Sequence, residues 1–202
     1  MEKRIRKIEL SDAEAVRDIY RPFVLDNATS FETELPGVAD IEDRIRKLKD
    51  DYPWLVFEAD RQVLGYAYAS SHRARKAYQW SVEVSVYVHE TVRRCGVGRA
   101  LYLSLFEVLR RQGYANAFAG ITLPNPASLG LHESLGFTQI GVFSRIGYKF
   151  GQWHDVVWLQ LRLLDLEEPV PNPIPAKDVI DSSVERIFEQ HAATVGYDGR
   201  RG

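Results

Sequence analysis

The sequence predicts an α+β fold (a mixed α/β sheet) in which helices cover the sheet. Segments with strand-like alternation and segments with helical spacing follow one another in the order β-α-α-β-β-β-α-β-α-β-β. The 202 residues are enough for one sizeable core, and 45% hydrophobic with 27% charged residues is the composition of a globular protein. We therefore expect one main domain over residues 1–166 and an appendage over residues 167–202.

The first part of the chain contains a strand, two helices and a hairpin. Residues 4–8 have strand character, and Ser11-Asp-Ala-Glu14 has the pattern of a capping box that starts a helix. A second helix opens near Asp40 and stops at Pro53, which lacks an amide hydrogen. The predicted hairpin joins two β-rich segments across Asp60-Arg-Gln, namely residues 54–59 and 63–70.

The clearest strand covers residues 80–88, where side chains alternate strictly between two faces. One face carries Trp80, Val82, Val84, Val86 and Val88, and the other carries Ser81, Glu83, Ser85 and Tyr87. A glycine-containing loop leads from this strand into a helix over residues 99–112, which Gly113 closes. Further along we expect a strand, a helix and a final pair of strands, over residues 114–121, 125–135, 137–147 and 153–162.

The chain changes character after residue 166. Prolines at alternate positions from Pro169 to Pro175 favour an extended, stiff linker. A short amphipathic helix follows, with apolar residues at Val179 or Ile180, Val184, Ile187 and Phe188. Its apolar face must be buried on its own core or on another subunit, and the second possibility makes a homodimer the expected assembly. The last residues, Val195 to Gly202, are predicted to be disordered.

Charge and cysteine content limit the possible partners. A formal net charge of −2 provides no general attraction for nucleic acid or for anionic membranes. The single cysteine, Cys95, excludes an intrachain disulfide and fits a reducing cytoplasm. No segment approaches the roughly 20 apolar residues of a membrane span, so we expect a cytoplasmic protein.

The glycine loop has the composition of an anion site. The segment Arg93-Arg-Cys-Gly-Val-Gly-Arg-Ala100 lies where a strand meets a helix N-terminus, and its arginines add positive charge to exposed amides. It lacks the Lys-Ser or Lys-Thr of a P-loop and the third glycine of a dinucleotide fingerprint. A plain glycine turn with solvated arginines would have the same composition, so the loop alone does not decide between the two interpretations.

Four segments together resemble the GNAT acetyltransferases. They are the spacing Arg93-x-x-Gly96-x-Gly98-x-Ala100, Asn125-Pro-Ala-Ser128, Leu131-His-Glu-Ser-Leu-Gly-Phe137 and Gly147-Tyr-Lys-Phe-Gly-Gln-Trp-His-Asp155. With Ser81–Val88 they are most similar to the phosphinothricin branch, which acetylates the α-amino group of phosphinothricin, methionine sulfone or methionine sulfoximine. The resemblance covers about residues 3–162 and implies a mostly antiparallel, twisted sheet with acetyl-CoA as co-substrate.

The resemblance also assigns residues to acetyl-CoA. The strand backbone at Val86 and Val88, with the intervening Tyr87, is expected to pair with the pantetheine arm, which Asn125 also contacts. The loop is expected to hold the diphosphate. The loop and helix positions in this set are Arg93, Arg94, Cys95, Gly96, Val97, Gly98, Arg99, Ala100, Ser128 and Ser134.

Acetyl transfer to an amine needs a base for the ammonium proton and a donor for the departing thiolate. Glu83, on the polar face of its strand, matches the family's catalytic glutamate, although an exposed strand carboxylate is the ordinary role of such a residue. His132 stands where many GNAT enzymes have a tyrosine acid, and Tyr102 is the alternative acid. Either of the two also fits an ordinary packing role.

The acceptor side of the site is expected to contain aromatic and basic residues. Arg73 and Arg75 suit a carboxylate or phosphinate, Tyr78 and Tyr87 lie near them in sequence, and Phe31 enters by resemblance alone. No paired histidine spacing indicates a metal site. Two other functions stay open at this point: a non-catalytic acetyl-CoA sensor, and an enzyme that acetylates peptides or proteins.

Overall fold

A computed structural model of the protein describes residues 1–165 and 167–199, and its elements confirm the expected order and fold class. The strands are β1 Lys3–Lys7, β2 Trp54–Ala59, β3 Gln62–Ser71, β4 Ser81–Val88, β5 Asn116–Thr122, β6 Thr138–Lys149 and β7 Gln152–Arg162. The helices are α1 Ala13–Leu25, α2 Val38–Leu48, α3 Val97–Gln112, α4 Pro126–Ser134, α5 Ala176–Val179 and α6 Ser182–Ala193.

Within the described residues, seven strands form one sheet in the order β1-β2-β3-β4-β5-β7-β6. Every neighbouring pair is antiparallel except β4 and β5, which are parallel. These two strands pair only where Ser81–Glu83 meets Asn116–Phe118. Beyond that point β4 continues to Val88 beside β3 alone, so the sheet opens between its two central strands.

Both faces of the sheet are covered. The alternating valines of β4, with Val82 and Val84 most deeply buried, pack in a core with Leu101 and Leu105 of α3. The opposite face packs α1 and α2 through residues such as Ile19, Ile41 and Ile45 in a second core that also contacts Tyr87. Strict alternation in the sequence therefore corresponds to a strand buried on two sides.

Local expectations at three element ends are wrong. The capping box belongs to Glu9 and Asp12, because the Glu9 amide donates to Asp12 Oδ2 at 2.8 Å while Arg6 binds the same carboxylate through two bonds of 2.7 and 2.8 Å. A 3-10 turn, Leu10–Asp12, therefore precedes α1. Helix α2 ends at Leu48 instead of reaching Pro53. Trp80 lies just outside β4, and its indole Nε1 donates to Pro171 O at 2.8 Å.

The C-terminal segment is packed against the chain's own core. In α6, Val184, Phe188 and Ala192 are at most 1% exposed and belong to the core around α3. The helix therefore does not offer this apolar face to a second subunit. Val195 is also buried, and the Gly196 amide donates to Cys95 O at 2.8 Å, so the prediction that disorder begins at Val195 is wrong.

The proline-containing linker is fixed along its path. Gln112 Nε2 donates to Asp51 O at 2.8 Å and to Ile174 O at 2.6 Å, and the Ile174 amide returns a bond to Gln112 O. The predicted domain boundary at Leu166 and the predicted tail residues 200–202 lie outside the described residues. In the part of the chain that is described, helices of membrane-spanning length and apolarity are absent.

Candidate active site

The gap between β4 and β5 forms an open cleft. It lies directly beyond Glu83 and Phe118, the last residues that the two strands pair. The sequence-predicted residues in its wall are Val86, Tyr87, Tyr102, Asn125, Ser128 and His132. The cleft therefore brings predicted acetyl-CoA residues of β4 and of α4, which are about 40 positions apart in sequence, into one cavity, whereas the residues of the glycine loop are not part of its wall.

The cleft exposes one edge of β4. Antiparallel β3 pairs with the other edge as far as Val88, whereas β5 pairs with the near edge only to Glu83. From Val84 to Val88 the near edge has no strand partner within the described residues. An extended ligand can therefore hydrogen-bond to this edge as an added strand would.

The glycine loop starts α3 beside the end of β4, since a Cβ built at Gly98 would lie 3.8 Å from Val86 and 4.0 Å from Val88. Gly96 has φ +88°, a conformation that favours glycine, and α3 begins at the next residue. The amides of Val97, Gly98 and Arg99 are in the first turn and have no intrahelical acceptor. They attract anions through the helix dipole.

Other members of the loop do not present their side chains to the cleft. Cys95, Val97 and Ala100 are at most 7% exposed and pack into the core, so only their backbone is available to a ligand. The Cys95 amide already donates to Val92 O at 3.3 Å. Of the basic side chains, Arg93 lies 6.0 Å from the Phe23 ring and Arg94 is exposed.

Helices α3 and α4 are joined beside the loop. Arg99 Nη1 donates to the Ser134 carbonyl at 3.1 Å and to its hydroxyl at 3.2 Å. Gly98 permits a close approach, because a Cβ built there would lie 3.3 Å from Leu131 and 3.8 Å from Val86. These two predicted ligand residues, Arg99 and Ser134, therefore also hold the helices together.

A connected group of polar side chains lies on the α4 side of the cleft. Asn125 caps α4 by accepting the Ser128 amide at 3.1 Å. His132 Nδ1 lies 2.7 Å from Ser128 O, and its Nε2 lies 3.2 Å from the Tyr102 hydroxyl. Since a carbonyl only accepts, Nδ1 carries the proton, and Nε2 accepts from Tyr102.

Burial keeps both members of this pair neutral. Burial lowers the pKa of His132, and the hydrogen bond to Ser128 opposes this shift. Burial also raises the pKa of Tyr102 well above the usual value. Both side chains are at most 3% exposed. The pair is thus a preformed, neutral hydrogen-bonded unit beside the cleft.

Glu83 lies where β4 and β5 separate, with its side chain 38% exposed. Its Oε1 is 3.0 Å from His72 Nδ1, a contact that the sequence analysis did not predict. His72 follows β3 directly and lies across the hairpin from β4, so the β3–β4 register was the signal that could have found it.

The residues expected to bind the acceptor lie in several places. Tyr87 packs edge-on against Tyr20 and Phe23, with ring centroids 5.0 Å apart in each case. Phe31 lies over Gly147, where an added Cβ would overlap the ring. Tyr78 is 45% exposed and contacts the His72 ring edge-on. Arg73 and Arg75 are exposed and line a separate groove beside Ile174, so the structure does not bring them into the cleft.

A buried lysine supports the loop that carries Phe31 and the cleft residue Thr29. Lys149, 5% exposed, donates to Val24 O at 2.7 Å, Asn27 O at 3.0 Å and Ser30 O at 2.7 Å. This role of Lys149 was not predicted from the sequence. A lysine in a strand ordinarily points to water, so the composition carried no signal for it.

The same loop is attached to α2 through Glu32. Arg44 donates to its two oxygens at 2.7 and 3.0 Å, and the Tyr20 hydroxyl donates at 3.0 Å. The bond from Arg44 is the main reason that the pKa of Glu32 is lowered. Burial raises the pKa of Tyr20 to about 12, so this hydroxyl keeps its proton at neutral pH.

The split sheet, the open strand edge and the helix amides define a class of protein: one that binds a long, extended ligand with an anionic end. Among the residues that the structure describes, no three or more His, Cys, Asp or Glu side chains come together in a group that could hold a metal ion. Comparison with known proteins identifies the family within that class.

Residues 5–158 match the family model described as Acetyltransferase (GNAT) domain. The chain is 41% identical over 175 residues to a phosphinothricin N-acetyltransferase of Streptomyces viridochromogenes, an alignment that covers 87% of this chain and 93% of that protein. It is 37% identical over 164 residues to an L-methionine sulfoximine/L-methionine sulfone acetyltransferase of Salmonella typhimurium, covering 79% and 94%.

The fold agrees with these relationships. A GNAT superfamily phosphinothricin acetyltransferase from Sinorhizobium meliloti, solved in complex with AcCoA, has a TM-score of 0.78 and 32% identity, covering 84% of this chain and 96% of that one. The chain therefore belongs to the GNAT acetyltransferase family, and the resemblance drawn from its motifs is confirmed.

Proposed function

We propose that this protein transfers the acetyl group of acetyl-CoA to the α-amino group of a small amino acid of the phosphinothricin or methionine sulfoximine type. The observation that carries the proposal is that the open edge of β4 and the Tyr102–His132 pair share one cleft, which begins directly after Glu83, the last residue of β4 that pairs with β5. The names of the relatives point to the same acceptors.

The chain's own residues fit acetyl-CoA. The edge of β4 from Val84 to Val88 offers backbone groups to the pantetheine arm, and the first amides of α3 offer donors to the diphosphate. Arg93, Arg94 and Arg99 add positive charge to that end of the cleft. When bound, acetyl-CoA supplies an activated acetyl group as a thioester.

Glu83 is the proposed general base. The acceptor's amine is mostly protonated near neutral pH, and its lone pair becomes available only when a base removes that proton. The Glu83 carboxylate is partly exposed at the point where β4 and β5 separate. A carboxylate at this position can accept the proton directly or through one water molecule.

Tyr102 and His132 are proposed to act as a unit at the opposite wall. Neutral Tyr102 has a single O–H, which His132 Nε2 accepts in the resting site; during transfer this O–H is proposed to turn from Nε2 to the departing sulfur. Because the pKa of Tyr102 is raised by burial, we assign the tyrosine to hydrogen-bond donation more than to complete proton transfer. Tyr102→Phe should therefore lower kcat more than it changes the KM for acetyl-CoA.

Arg73 and Arg75 line a separate groove, and they are proposed to add positive charge near the acceptor's carboxylate or phosphinate from outside the cleft. They lie one and three residues after His72, whose side chain touches Glu83. Phe31, Tyr78 and Tyr87 are proposed to contact the acceptor's side chain. If a peptide were the natural acceptor instead, Arg75→Gln would change the KM for a free amino acid little.

The test is an assay of thiol release from acetyl-CoA over a panel of methionine sulfone, methionine sulfoximine, phosphinothricin, ordinary amino acids and short peptides. We expect turnover with the amino-acid analogues and a loss of about 100-fold or more in kcat for Glu83→Gln. Glu14→Gln, which changes an exposed carboxylate on α1, is the matched control. Binding of acetyl-CoA without turnover of any acceptor would instead support the sensor function.

We also propose that the enzyme is a cytoplasmic homodimer assembled through its final hairpin. Strand β6 is an edge strand, and the β6–β7 hairpin exposes an unusual number of large apolar side chains. The most exposed are Ile140, Phe143, Ile146, Tyr148, Phe150 and Trp153, each at least 47% exposed. Light scattering of Ile146→Glu should show a monomer if this surface is the interface.

A further inference from the structure

His72 is the residue of the active-site region that the mechanism above leaves without a role. Its Nδ1 lies 3.0 Å from Oε1 of Glu83. Within the described residues, no other side chain hydrogen-bonds to this carboxylate. Since an ionised carboxylate only accepts, the bond requires a proton on His72 Nδ1.

The sheet places these two residues on the same face. Ser70 is directly opposite Glu83 in the β3–β4 ladder, so the two side chains point the same way. His72 comes two residues after Ser70 and therefore also projects to that face. Phe118 is the partner of Glu83 on the other side, in β5, and its ring completes the arrangement.

Three aromatic rings hold the imidazole in place. It stacks on Phe118 with centroids 4.4 Å apart and planes 18° apart. It meets Trp158 edge-on at 5.9 Å and Tyr78 edge-on at 6.4 Å. The histidine side chain is 14% exposed, compared with 38% for Glu83. The imidazole is thus more fixed and less solvated than the carboxylate that it contacts.

The space between these three rings would hold a phenyl ring equally well. The imidazole of His72 differs from a phenyl ring because it also points an N–H donor at Glu83, the proposed base. A hydrogen bond to a charged group contributes more than one between neutral groups, and partial burial reduces the screening that weakens surface pairs. These contacts give the bond a defined geometry, because the imidazole has little freedom to turn away from Glu83.

We propose that His72 is a positioning residue that fixes the Glu83 carboxylate through Nδ1–H. The bond occupies Oε1 and leaves Oε2 to face the acceptor. In the proton transfer, an N–H bond of the acceptor's ammonium breaks and an O–H bond forms at Oε2, while His72 keeps its own proton throughout. The proposal rests on the assignment of Glu83 as general base.

Two substitutions separate the hydrogen bond from the packing of the ring. His72→Phe keeps an aromatic ring against Phe118 and removes the donor. His72→Asn removes the ring and keeps an N–H near the position of Nδ1. We expect His72→Phe to lower kcat about tenfold or more, the factor that corresponds to losing one charge-assisted bond, with the KM for acetyl-CoA unchanged. His72→Asn should restore most of that loss.

The decisive measurement repeats His72→Phe in a Glu83→Gln background. If His72 acts through the carboxylate, the second substitution should lower the residual kcat less than about twofold. A wild-type kcat in His72→Phe, or an equal loss in both backgrounds, would overturn the proposal. If His72→Phe does not fold, His72→Leu in both backgrounds gives the same comparison.

The same variants distinguish this proposal from the proposed function. If Glu83→Gln is inactive while His72→Phe is fully active, the base assignment stands and the positioning role fails. If Glu83→Gln keeps full activity, the base assignment itself fails, and with it the role of His72. Thermal melting and acetyl-CoA binding of each variant show that the loss lies in the chemical step and not in the fold.

Discussion

Replacing Lys149 with methionine should destabilise the protein and loosen the loop between α1 and α2. Methionine keeps most of the apolar stem and removes the ammonium, whose three bonds of 2.7, 3.0 and 2.7 Å end on Val24, Asn27 and Ser30. The acceptors come from the end of α1 and the first residues of the loop. The ammonium therefore closes this loop onto β6.

The burial of the acceptors sets the size of the effect. Val24 is 1% exposed and Ser30 is 7% exposed, so water does not readily replace the ammonium at these two residues, whereas Asn27 is only half-buried. Leaving a buried acceptor without its hydrogen-bond donor costs about 1–3 kcal/mol of stability. Two such groups lower the free energy of unfolding by about 2–6 kcal/mol, which corresponds to a fall in Tm of about 4–24 °C for a chain of this size.

The assay is urea denaturation with linear extrapolation, with Lys47→Met on the exposed face of α2 as the matched control. Activity gives a second measurement, because Thr29 in the cleft and Phe31 belong to the same loop. The KM for the acceptor should rise more than the KM for acetyl-CoA. If Lys149→Met were no less stable than Lys47→Met, the ammonium would not be what holds the loop.

Two further results are expected. Phe188→Ala removes a side chain that is 1% exposed in the core around α3 and should cost about 3–5 kcal/mol in urea unfolding, whereas no loss would mean that α6 is not part of that core. Burial lowers the pKa of His132 in the folded protein, so as the pH falls below about 6.5 this histidine takes up a proton in the unfolded chain first. The free energy of unfolding therefore decreases from that pH down to the lowered pKa of the folded state. His132→Gln should show a smaller decrease in urea midpoint between pH 7 and 5, and an identical decrease would contradict this origin.

Features determined by neighbouring residues could be predicted from the sequence. The alternation of β4, the hairpin at Asp60 and the glycine that ends α3 are local patterns, and the structure contains all three. The location of α6 could not be predicted, because an amphipathic helix shows that a face must be buried but not against which partner. Only the packing of Phe188 beside α3 decides that the helix belongs to its own core.

Among the site residues, too, local motifs could be predicted from the sequence and long-range contacts could not. Motifs identified Tyr102 and His132 separately, but the bond that couples them joins residues 30 positions apart. His72 and Lys149 were missed because their roles depend on a strand register and on a loop that comes from the other end of the domain. Isolated histidines and lysines occur throughout most sequences, so nothing local distinguishes a positioning residue from a solvated one.

Strand β4 explains why the site could be located from so few motifs. Alternation sends Val82 and Val84 into the core around α3 while Glu83 points to the opposite face. The separation from β5 then leaves the strand's own backbone free just beyond Glu83. One strand thus combines core packing, a proposed base and a proposed donor-binding edge. A shift of its register by one residue would turn Glu83 into the apolar core, so the packing of the valines also determines where the base lies.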